Sequence, residues 1–318
     1  MILRALAALA APAGARCRLS VFYFHRALAE PDPLLPFEPD ARMFDRMLGW
    51  IGAQFRVLDP LEACDRLFDG TLPSRPAVVT FDDGYRDNYT VALPVLQRHR
   101  MQAAFFVATG FLEGGAMFND RVIEAVRRCK RASLPAPEGG DALMLGDDAQ
   151  RRAAIDRILG AIKHLPPEVR MQRVLELERA AGVVAPSGTM MRAEDVAALH
   201  RAGMRVGGHT RSHPILLKLD DAEAEREIAG GLDDLASILG ERPPLFAYPN
   251  GKLGGDFDER HVAMVQRAGA RYAFTTQAGA ATRSSGRYLL PRFTPWDRTR
   301  WRFGLRAWRN LAGRRSAR

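Results

Sequence analysis

Two adjacent carboxylates, Asp82 and Asp83, directly follow the apolar segment 77–79, which is typical of a buried strand. Burying even one unpaired carboxylate is costly, so the pair requires a physical reason. Further along the chain, His209 and His213 stand four residues apart in a segment that also holds glycines and a proline. One carboxylate and two imidazoles are a common ligand set for Zn²⁺, Fe²⁺ or a similar divalent ion. The second carboxylate would then be free to act as a base.

Each pattern alone has an ordinary structural explanation. Asp-Asp-Gly is most often a turn. Two histidines at this spacing are most often surface or core residues of a helix. Here, however, both patterns follow a predicted strand, and this joint placement favours a metal site.

The elements that must position these residues alternate between strand-like and helix-like segments. Such alternation predicts a parallel sheet or an α/β barrel, whose functional loops lie at the carboxyl ends of the strands. The predicted strands are 19–25, 55–58, 77–81, 103–109, 204–209, 245–249, 272–276 and a last strand that ends at Arg292. Helices are predicted between them, among others at 41–54, 60–68 and 88–100.

The middle of the chain, about residues 113–188, departs from this alternation. It contains two helical segments separated by 132–148, a stretch rich in Pro, Gly and Asp that predicts a loop. We interpret this region as a helical insertion between two consecutive strands. The predicted organisation is an N-terminal segment 1–18, a main domain 19–297 and a basic tail 298–318.

Several motifs resemble those of the polysaccharide deacetylases, the NodB-homology group of carbohydrate esterases (family 4-like). They are TFDDGY at 80–85, HTRSHP at 209–214, FAYPNG at 246–251, and the AFTT strand followed by LLPRF; YFHRAL near the start also fits one branch. The resemblance covers roughly Ser20–Trp296. It implies a distorted (β/α)7-type barrel and a metal-dependent hydrolase that removes an N- or O-acetyl group from a sugar, with an N-acetyl amino sugar as the favoured substrate. The implied partner is therefore an acetylated glycan.

The resemblance also implies roles for individual residues. Asp83, His209 and His213 match the metal ligands, with Zn²⁺ as the favoured ion, and Asp82 matches the general base. The backbone N–H of Asn250 matches a donor that stabilises the oxyanion of the tetrahedral intermediate, a contribution of typically ~3 kcal/mol. On turn chemistry alone, the segment around Asn250 could equally be a plain turn.

The chain departs from the family pattern at two places. The family has an arginine that orients the base where this chain has Ala247, and a histidine acid that is absent from 289–293. Arg292, at the end of the last predicted strand, and His25, at the end of the first, are the predicted substitutes. The alternatives are a surface cap for Arg292 and a core histidine for His25. These gaps also leave open the alternative that the protein is a non-catalytic, carbohydrate-binding relative of the deacetylases.

Positive charge is concentrated in the tail. The formal net charge is +9, and residues 298–318 hold eight arginines and no acid, which leaves +1 for the rest. A nearly neutral body argues against a nucleic-acid partner. Within the tail, Trp301, Leu305, Trp308 and Ala312 recur at helical spacing. This stripe predicts either peripheral contact with an anionic membrane, as in a membrane-surface scaffold, or packing of the stripe onto the barrel.

The compartment is predicted from the cysteines and the N-terminus. Three cysteines far apart in sequence predict free thiols and a reducing compartment, hence a cytoplasmic protein, peripheral on the inner membrane if the tail binds lipid. Residues 1–15 resemble a weak secretory signal, which leaves a secreted or periplasmic protein as the alternative. Otherwise this segment predicts a short helix.

Overall fold

A parallel sheet forms the centre of the protein, which we describe from a computed structural model covering residues 2–184, 187–294 and 297–313. The tail arginines 314, 315 and 318, and Trp296 at the end of the family resemblance, lie outside these ranges. The strands in the described ranges are β1 Ser20–Phe24, β2 Arg56–Val57, β3 Pro76–Phe81, β4 Ala103–Val107, β5 Ser133–Leu134, β6 Leu143–Met144, β7 Arg205–Gly208, β8 Leu245–Ala247, β9 Tyr272–Ala278 and β10 Leu290–Arg292. The helices are α1 Ile2–Ala10, α2 Ala41–Gln54, α3 Pro60–Asp69, α4 Leu93–His99, α5 Phe118–Arg128, α6 Asp148–Ile162, α7 Pro167–Ala181, α8 Ala193–Arg201, α9 Asp221–Leu239, α10 Glu259–Arg267 and α11 Arg300–Leu311.

Seven of these strands form a nearly closed barrel in the order β1-β3-β4-β7-β8-β9-β10, with every pair parallel. The short β2 pairs with β3 outside this path. The barrel closes between β10 and β1, where the Tyr23 N–H donates to the Phe293 carbonyl over 3.1 Å and the Phe293 N–H donates to Val21 over 2.7 Å. The predicted (β/α)7 barrel is confirmed.

Local sequence explains why these elements form where they do. All six residues of β3 are buried, as in a strand covered on both faces. The helix α3 begins with Pro60 directly after Asp59, whose carboxylate accepts the N–H groups of Leu61 and Glu62, and it ends at the left-handed Gly70. Such start and stop signals made these bounds predictable.

The helix predicted over 88–100 has a different beginning. Asn88–Ala92 forms a π-helical turn, and the regular helix α4 starts at Leu93. Pro94 lies in the first turn of α4 and has no N–H to donate to the preceding turn, so the change of winding coincides with the proline.

The insertion between β4 and β7 contains α5, α6 and α7 and has its own core. Val122, Val126, Ile155, Ile158 and Val174 are buried together there, separate from the main cluster around the sheet. The prediction of a loop over 132–148 was wrong in part, because β5 and β6 pair there as a short antiparallel hairpin.

The C-terminal helix packs on the barrel with a face that the sequence analysis did not select. Phe303, Ala307 and Leu311 are buried, whereas Trp301 is 67% exposed and Leu305 is 40% exposed. The alternative of a C-terminal helix packed on the barrel is therefore confirmed, but Trp301 and Leu305 of the predicted stripe do not pack inward, and Trp308 and Ala312 are only half-buried. The packed face recurs every four residues from Phe303, which lay outside the predicted stripe.

Aromatic contacts explain this choice of face. The Phe303 ring lies 5.8 Å from the ring of Phe22 in β1 and 5.8 Å from that of Trp50 in α2. The neighbouring Gly304 is also buried. Among the described residues, no helix is both long enough and apolar enough to cross a membrane. The three cysteines are free and buried.

Candidate active site

The carboxyl ends of the parallel strands bring the predicted site residues together. Asp82 and Asp83 directly follow β3, and His209 directly follows β7. Asp83 and His213 both adopt left-handed backbone conformations, with φ of 77° and 54°. Such conformations are uncommon for residues other than glycine and are found at functional sites.

Asp83, His209 and His213 form a cluster suited to a metal ion. Their candidate ligand atoms all lie within 4.8 Å of one another, and no ion is included in the structure. The Nε2 atoms of both histidines lie 3.4 Å from Asp83 Oδ1. The Nδ1 of His209 lies 2.7 Å from the Ala247 carbonyl, which can only accept, so Nδ1 carries the proton and the lone pair on Nε2 faces the cluster.

The electrostatics of the cluster fit a cation. Asp83 Oδ1 is buried and has no hydrogen-bond partner among the described residues. Burial opposes ionisation of Asp83, but the contact with His209 and the neighbouring imidazole charges outweigh it and hold its pKa well below the usual range. Burial lowers the pKa of His213 to about 4, against the opposing charge of Asp83. His213 is thus neutral at neutral pH, the form that binds metals.

The second carboxylate, Asp82, is held by an arginine. Arg292 Nη1 donates to Asp82 Oδ1 over 2.6 Å, and Nη2 donates to Oδ2 over 2.7 Å. Burial would raise the pKa of Asp82, but the charges of Arg292 and His209 outweigh it and lower that pKa. The alternative of a surface cap for Arg292 is wrong, because its side chain is completely buried.

The guanidinium itself is fixed from several sides. Its Nε donates to the Thr275 carbonyl over 2.8 Å, and its Cζ lies 4.6 Å from the centre of the Tyr23 ring. Ala247, which the family resemblance matches to the position of the orienting arginine, lies on β8, and β9 separates β8 from β10. The structure thus brings an arginine to the Asp82 carboxylate from β10 rather than from the position of Ala247.

A single cavity of about 1420 Å³ borders all the predicted site residues. They are Asp82, Asp83, His209, His213, Asn250, Arg292 and His25.

Comparison with known proteins agrees with this geometry. The sequence profile of the family described as "Polysaccharide deacetylase" matches residues 69–133 and 169–273, which is more than half of the chain. The chain belongs to the polysaccharide deacetylase family. It is 22% identical over 251 residues to YxkH of Bacillus subtilis (strain 168), a protein that is provisionally named as a polysaccharide deacetylase. The match covers 78% of this chain and 62% of YxkH, so the chain spans less than two thirds of that protein.

Solved structures of other proteins share the fold. The Streptococcus pyogenes deacetylase PplD, solved in complex with acetate, is 18% identical with a TM-score of 0.58, over 87% of this chain and 92% of PplD. IcaB from Ammonifex degensii is 20% identical with a TM-score of 0.58, over 96% of this chain and 97% of IcaB. A de-N-acetylase from Aggregatibacter actinomycetemcomitans is 14% identical with a TM-score of 0.55, over 87% and 94% of the two chains.

In this member of the family, Asn250 follows β8 in a tight turn with φ of 59°. The turn is held by the Gly251 N–H, which donates to Pro249 over 2.6 Å, and by the Thr276 hydroxyl, which donates to the Asn250 carbonyl over 2.6 Å. The N–H of Asn250 has no hydrogen-bond partner among the residues that the structure describes. A donor with no partner at the cavity wall can serve a ligand.

His25 follows β1 and lies among carboxylates. Burial opposes its protonation, but the negative charges of Asp83, Glu38 and Asp82 outweigh burial and raise its pKa. The sequence analysis missed Glu38, which lines the same cavity and accepts the N–H of Arg26 over 3.3 Å. Glu38 lies in a loop outside every motif, so no sequence signal pointed to it.

The cavity also receives residues from the C-terminal helix. Arg302, Arg306 and Asn310 of α11 border it, together with Lys163 from the helical insertion. The sequence analysis treated the tail as separate from the main domain, and it gave the helical insertion no part in the site. Both regions contribute side chains to the lining of this cavity.

Proposed function

We propose that this chain is a metal-dependent deacetylase that hydrolyses the C–N bond of an N-acetyl amino sugar within a polysaccharide or glycan. The observation that carries the proposal is the cluster of Asp83, His209 and His213 beside the arginine-held carboxylate of Asp82, all facing one cavity. Membership of the polysaccharide deacetylase family supports the acetylated glycan as substrate.

The donor set fits a divalent ion. It offers one carboxylate oxygen and two imidazole nitrogens, and the buried Asp83 Oδ1 has no hydrogen-bond partner among the described residues. We propose Zn²⁺, because two imidazoles and one carboxylate suit this ion and leave a coordination position free. When bound, it supplies Lewis-acid polarisation of an acyl oxygen and promotes the ionisation of water.

Asp82 is the proposed base. The paired guanidinium of Arg292 uses one lone pair on each carboxylate oxygen, which leaves further lone pairs to accept a proton from the attacking water. The low pKa of Asp82 keeps it ionised at neutral pH, ready to accept. The pair with Arg292 fixes the direction of the carboxylate, and orientation of this kind contributes to the rate.

Asn250 and His25 complete the proposed reaction. The unpartnered N–H of Asn250 would donate to the oxyanion as the carbonyl becomes tetrahedral. The C–N bond then breaks, and the amine leaving group takes a proton from the imidazolium of His25, while the water oxygen remains in acetate. One water and one amide thus give one amine and one acetic acid, which ionises to acetate, and the proton that Asp82 takes from the water replaces the proton that His25 gives up.

The test combines metal analysis with acetate release. The purified chain is loaded with Zn²⁺, and acetate is measured with N-acetylated chitooligosaccharides as probe substrates. We expect one equivalent of bound metal and acetate release that a chelator abolishes. Binding of the oligosaccharide without acetate release, at full metal occupancy, would instead support the carbohydrate-binding relative, which the absence of a histidine from 289–293 favours.

A further inference from the structure

Positive charge is concentrated at the two ends of the chain. Residues 1–18 hold three arginines and residues 298–318 hold eight, and neither segment has an acidic residue. Without these eleven arginines, the formal net charge of +9 becomes −2 for residues 19–297. The body of the protein is therefore slightly acidic, and its termini carry all the excess positive charge.

The fold brings these two termini together. Ala7 and Ala11 at the N-terminus are buried in the same core cluster as Phe303 and Leu311 of α11. The Arg18 guanidinium also donates to the Leu311 carbonyl. Arg18 therefore lies against the C-terminal helix, although the two are far apart in sequence.

The outer face of α11 combines apolar and basic side chains. Trp301, 67% exposed, and Leu305, 40% exposed, lie one turn apart. Arg302 and Arg309 are also exposed on this helix, as is Arg300 at its start. Large apolar side chains flanked by arginines, with no carboxylate in the segment, are typical of a helix that lies in a membrane interface.

A third large apolar side chain stands near the beginning of α11. The Arg298 guanidinium donates to the carbonyl of Pro36, and the next residue, Phe37, is 74% exposed. We call Phe37, Trp301 and Leu305, with Arg300 and Arg309, the α11 patch.

This patch borders the active-site cavity. Glu38, the residue after Phe37, lines the cavity, and so do Arg302 and Arg306 of α11. One helix thus contributes both to the exposed patch and to the cavity wall. Whatever binds the patch lies next to the cavity.

We propose that the α11 patch docks this protein onto the surface of an anionic phospholipid bilayer. The aromatic and aliphatic side chains would enter the interface, and the arginines would meet the acidic headgroups. A second copy of the chain complements the patch poorly, because residues 19–297 carry a formal charge of only −2. Docking would bring the cavity close to glycans that are attached to lipid or emerge from the membrane.

The experiment uses the full chain and sedimentation with vesicles of phosphatidylcholine, with or without phosphatidylglycerol. We expect binding to the anionic vesicles at low salt, at least tenfold weaker binding to the neutral ones, and a marked loss at high salt. Trp301→Ser with Leu305→Ser should lower partitioning at least about tenfold, since both side chains lose interfacial burial. Arg300→Gln with Arg309→Gln should lower it about fivefold for each arginine removed.

Leu175→Ser is the matched control, because Leu175 is 42% exposed on α7, within the helical insertion. It should bind vesicles as the unaltered chain does, and all variants should keep the same far-ultraviolet circular dichroism. Three results would overturn the proposal: no binding at low salt, equal binding to neutral vesicles, or a Trp301→Ser/Leu305→Ser variant that binds like the control. A dimer that this double variant dissociates, found by light scattering without lipid, would assign the patch to a second copy instead.

Discussion

Arg292 and Asp82 form a bidentate ion pair that is almost completely withdrawn from solvent, with exposed fractions of 0% and 2%. Asp82 follows β3 and Arg292 ends β10, and these two strands lie on either side of β1. The pair therefore joins the two strands next to the closure of the barrel, in addition to orienting the proposed base. Removing one partner of such a pair leaves an uncompensated buried charge, at a cost of roughly 3–5 kcal/mol.

Arg292→Lys tests the orienting role of the guanidinium. Lysine keeps the positive charge but cannot donate two parallel hydrogen bonds to Asp82, and it loses the bond from Nε to Thr275. We expect acetate release to fall about 100-fold or more, with the metal content unchanged. The free energy of unfolding should fall by roughly 1–3 kcal/mol.

Arg287→Lys is the control for this substitution, because Arg287 is exposed and donates to the Tyr272 hydroxyl away from the site. Its activity should stay within twofold of the unaltered chain. If Arg292→Lys also retains full activity, the paired guanidinium does not orient the base.

Asp82→Asn and Asp83→Asn should separate the two adjacent carboxylates by function. An amide at 82 cannot accept the proton of water, so activity should fall about 10²–10⁴-fold while the metal stays bound. An amide at 83 removes the only anionic group of the ligand cluster, so both metal and activity should be lost. Measuring metal by mass spectrometry beside acetate release checks both outcomes. Equal metal loss in both variants would contradict the division of roles.

His209→Ala should lower the metal affinity by one or more orders of magnitude, because three protein ligands leave no substitute. His200→Ala is the control, since His200 lies on α8 and is 3.7 Å from Glu241. Competition with a chromogenic chelator gives both affinities. Unchanged affinity in His209→Ala would remove this histidine from the ligand set.

The positions of the main site residues were predictable from sequence, because parallel strands present their carboxyl ends at one edge. Arg292 was identifiable for the same reason: it ends a predicted strand in a chain that lacks the family arginine. Glu38 could not be found, because its place beside His25 depends on how a loop folds over the barrel. Loop paths of this kind have no periodicity that a sequence could reveal.

The orientation of α11 was not predictable from its hydrophobic pattern. Two apolar stripes are present, one beginning at Trp301 and one at Phe303, and spacing alone does not rank them. The surface on which the helix packs decides which stripe is buried, because the Phe303 ring fits against the rings of Phe22 and Trp50. Such complementarity exists only once the barrel has formed.

Asp120 should make stability depend on pH. Burial raises its pKa to about 6, although the charge of Arg26 and hydrogen bonds from Met117 and Tyr85 oppose this. In the unfolded chain an aspartate has a pKa of about 3.9. At pH values between these two pKa values, Asp120 keeps a proton in the folded protein that it has released in the unfolded chain. The contribution of Asp120 to the free energy of unfolding therefore falls as pH rises from about 4 to 6, by up to about 3 kcal/mol.

Asp120→Asn removes this titration, so its stability relative to the unaltered chain should rise across the same interval. Urea unfolding of both proteins at several pH values between 4 and 7 gives the difference directly. A difference that stays constant with pH would show that Asp120 ionises normally in the folded protein.

Gly207→Ala and Gly160→Ala should have opposite effects, because one glycine is enclosed and the other is not. A Cβ on Gly207 in β7 would lie 2.6 Å from ring carbons of Phe106 and 2.8 Å from the Leu245 carbonyl oxygen. Neither neighbour can move easily, since the Phe106 ring is fully buried and the Leu245 oxygen belongs to the backbone. We expect a loss of about 1–3 kcal/mol or more in the free energy of unfolding. The strain would also reach His209, two residues further on, and weaken metal binding.

A Cβ on Gly160 in α6 would have no atom within 4 Å outside its chain neighbours and its own helix backbone, so alanine there should stabilise the helix by roughly 0.5–1 kcal/mol. Urea unfolding checks both changes, and a Gly207→Ala variant as stable as the unaltered chain would contradict the close approach of β7 to its neighbours.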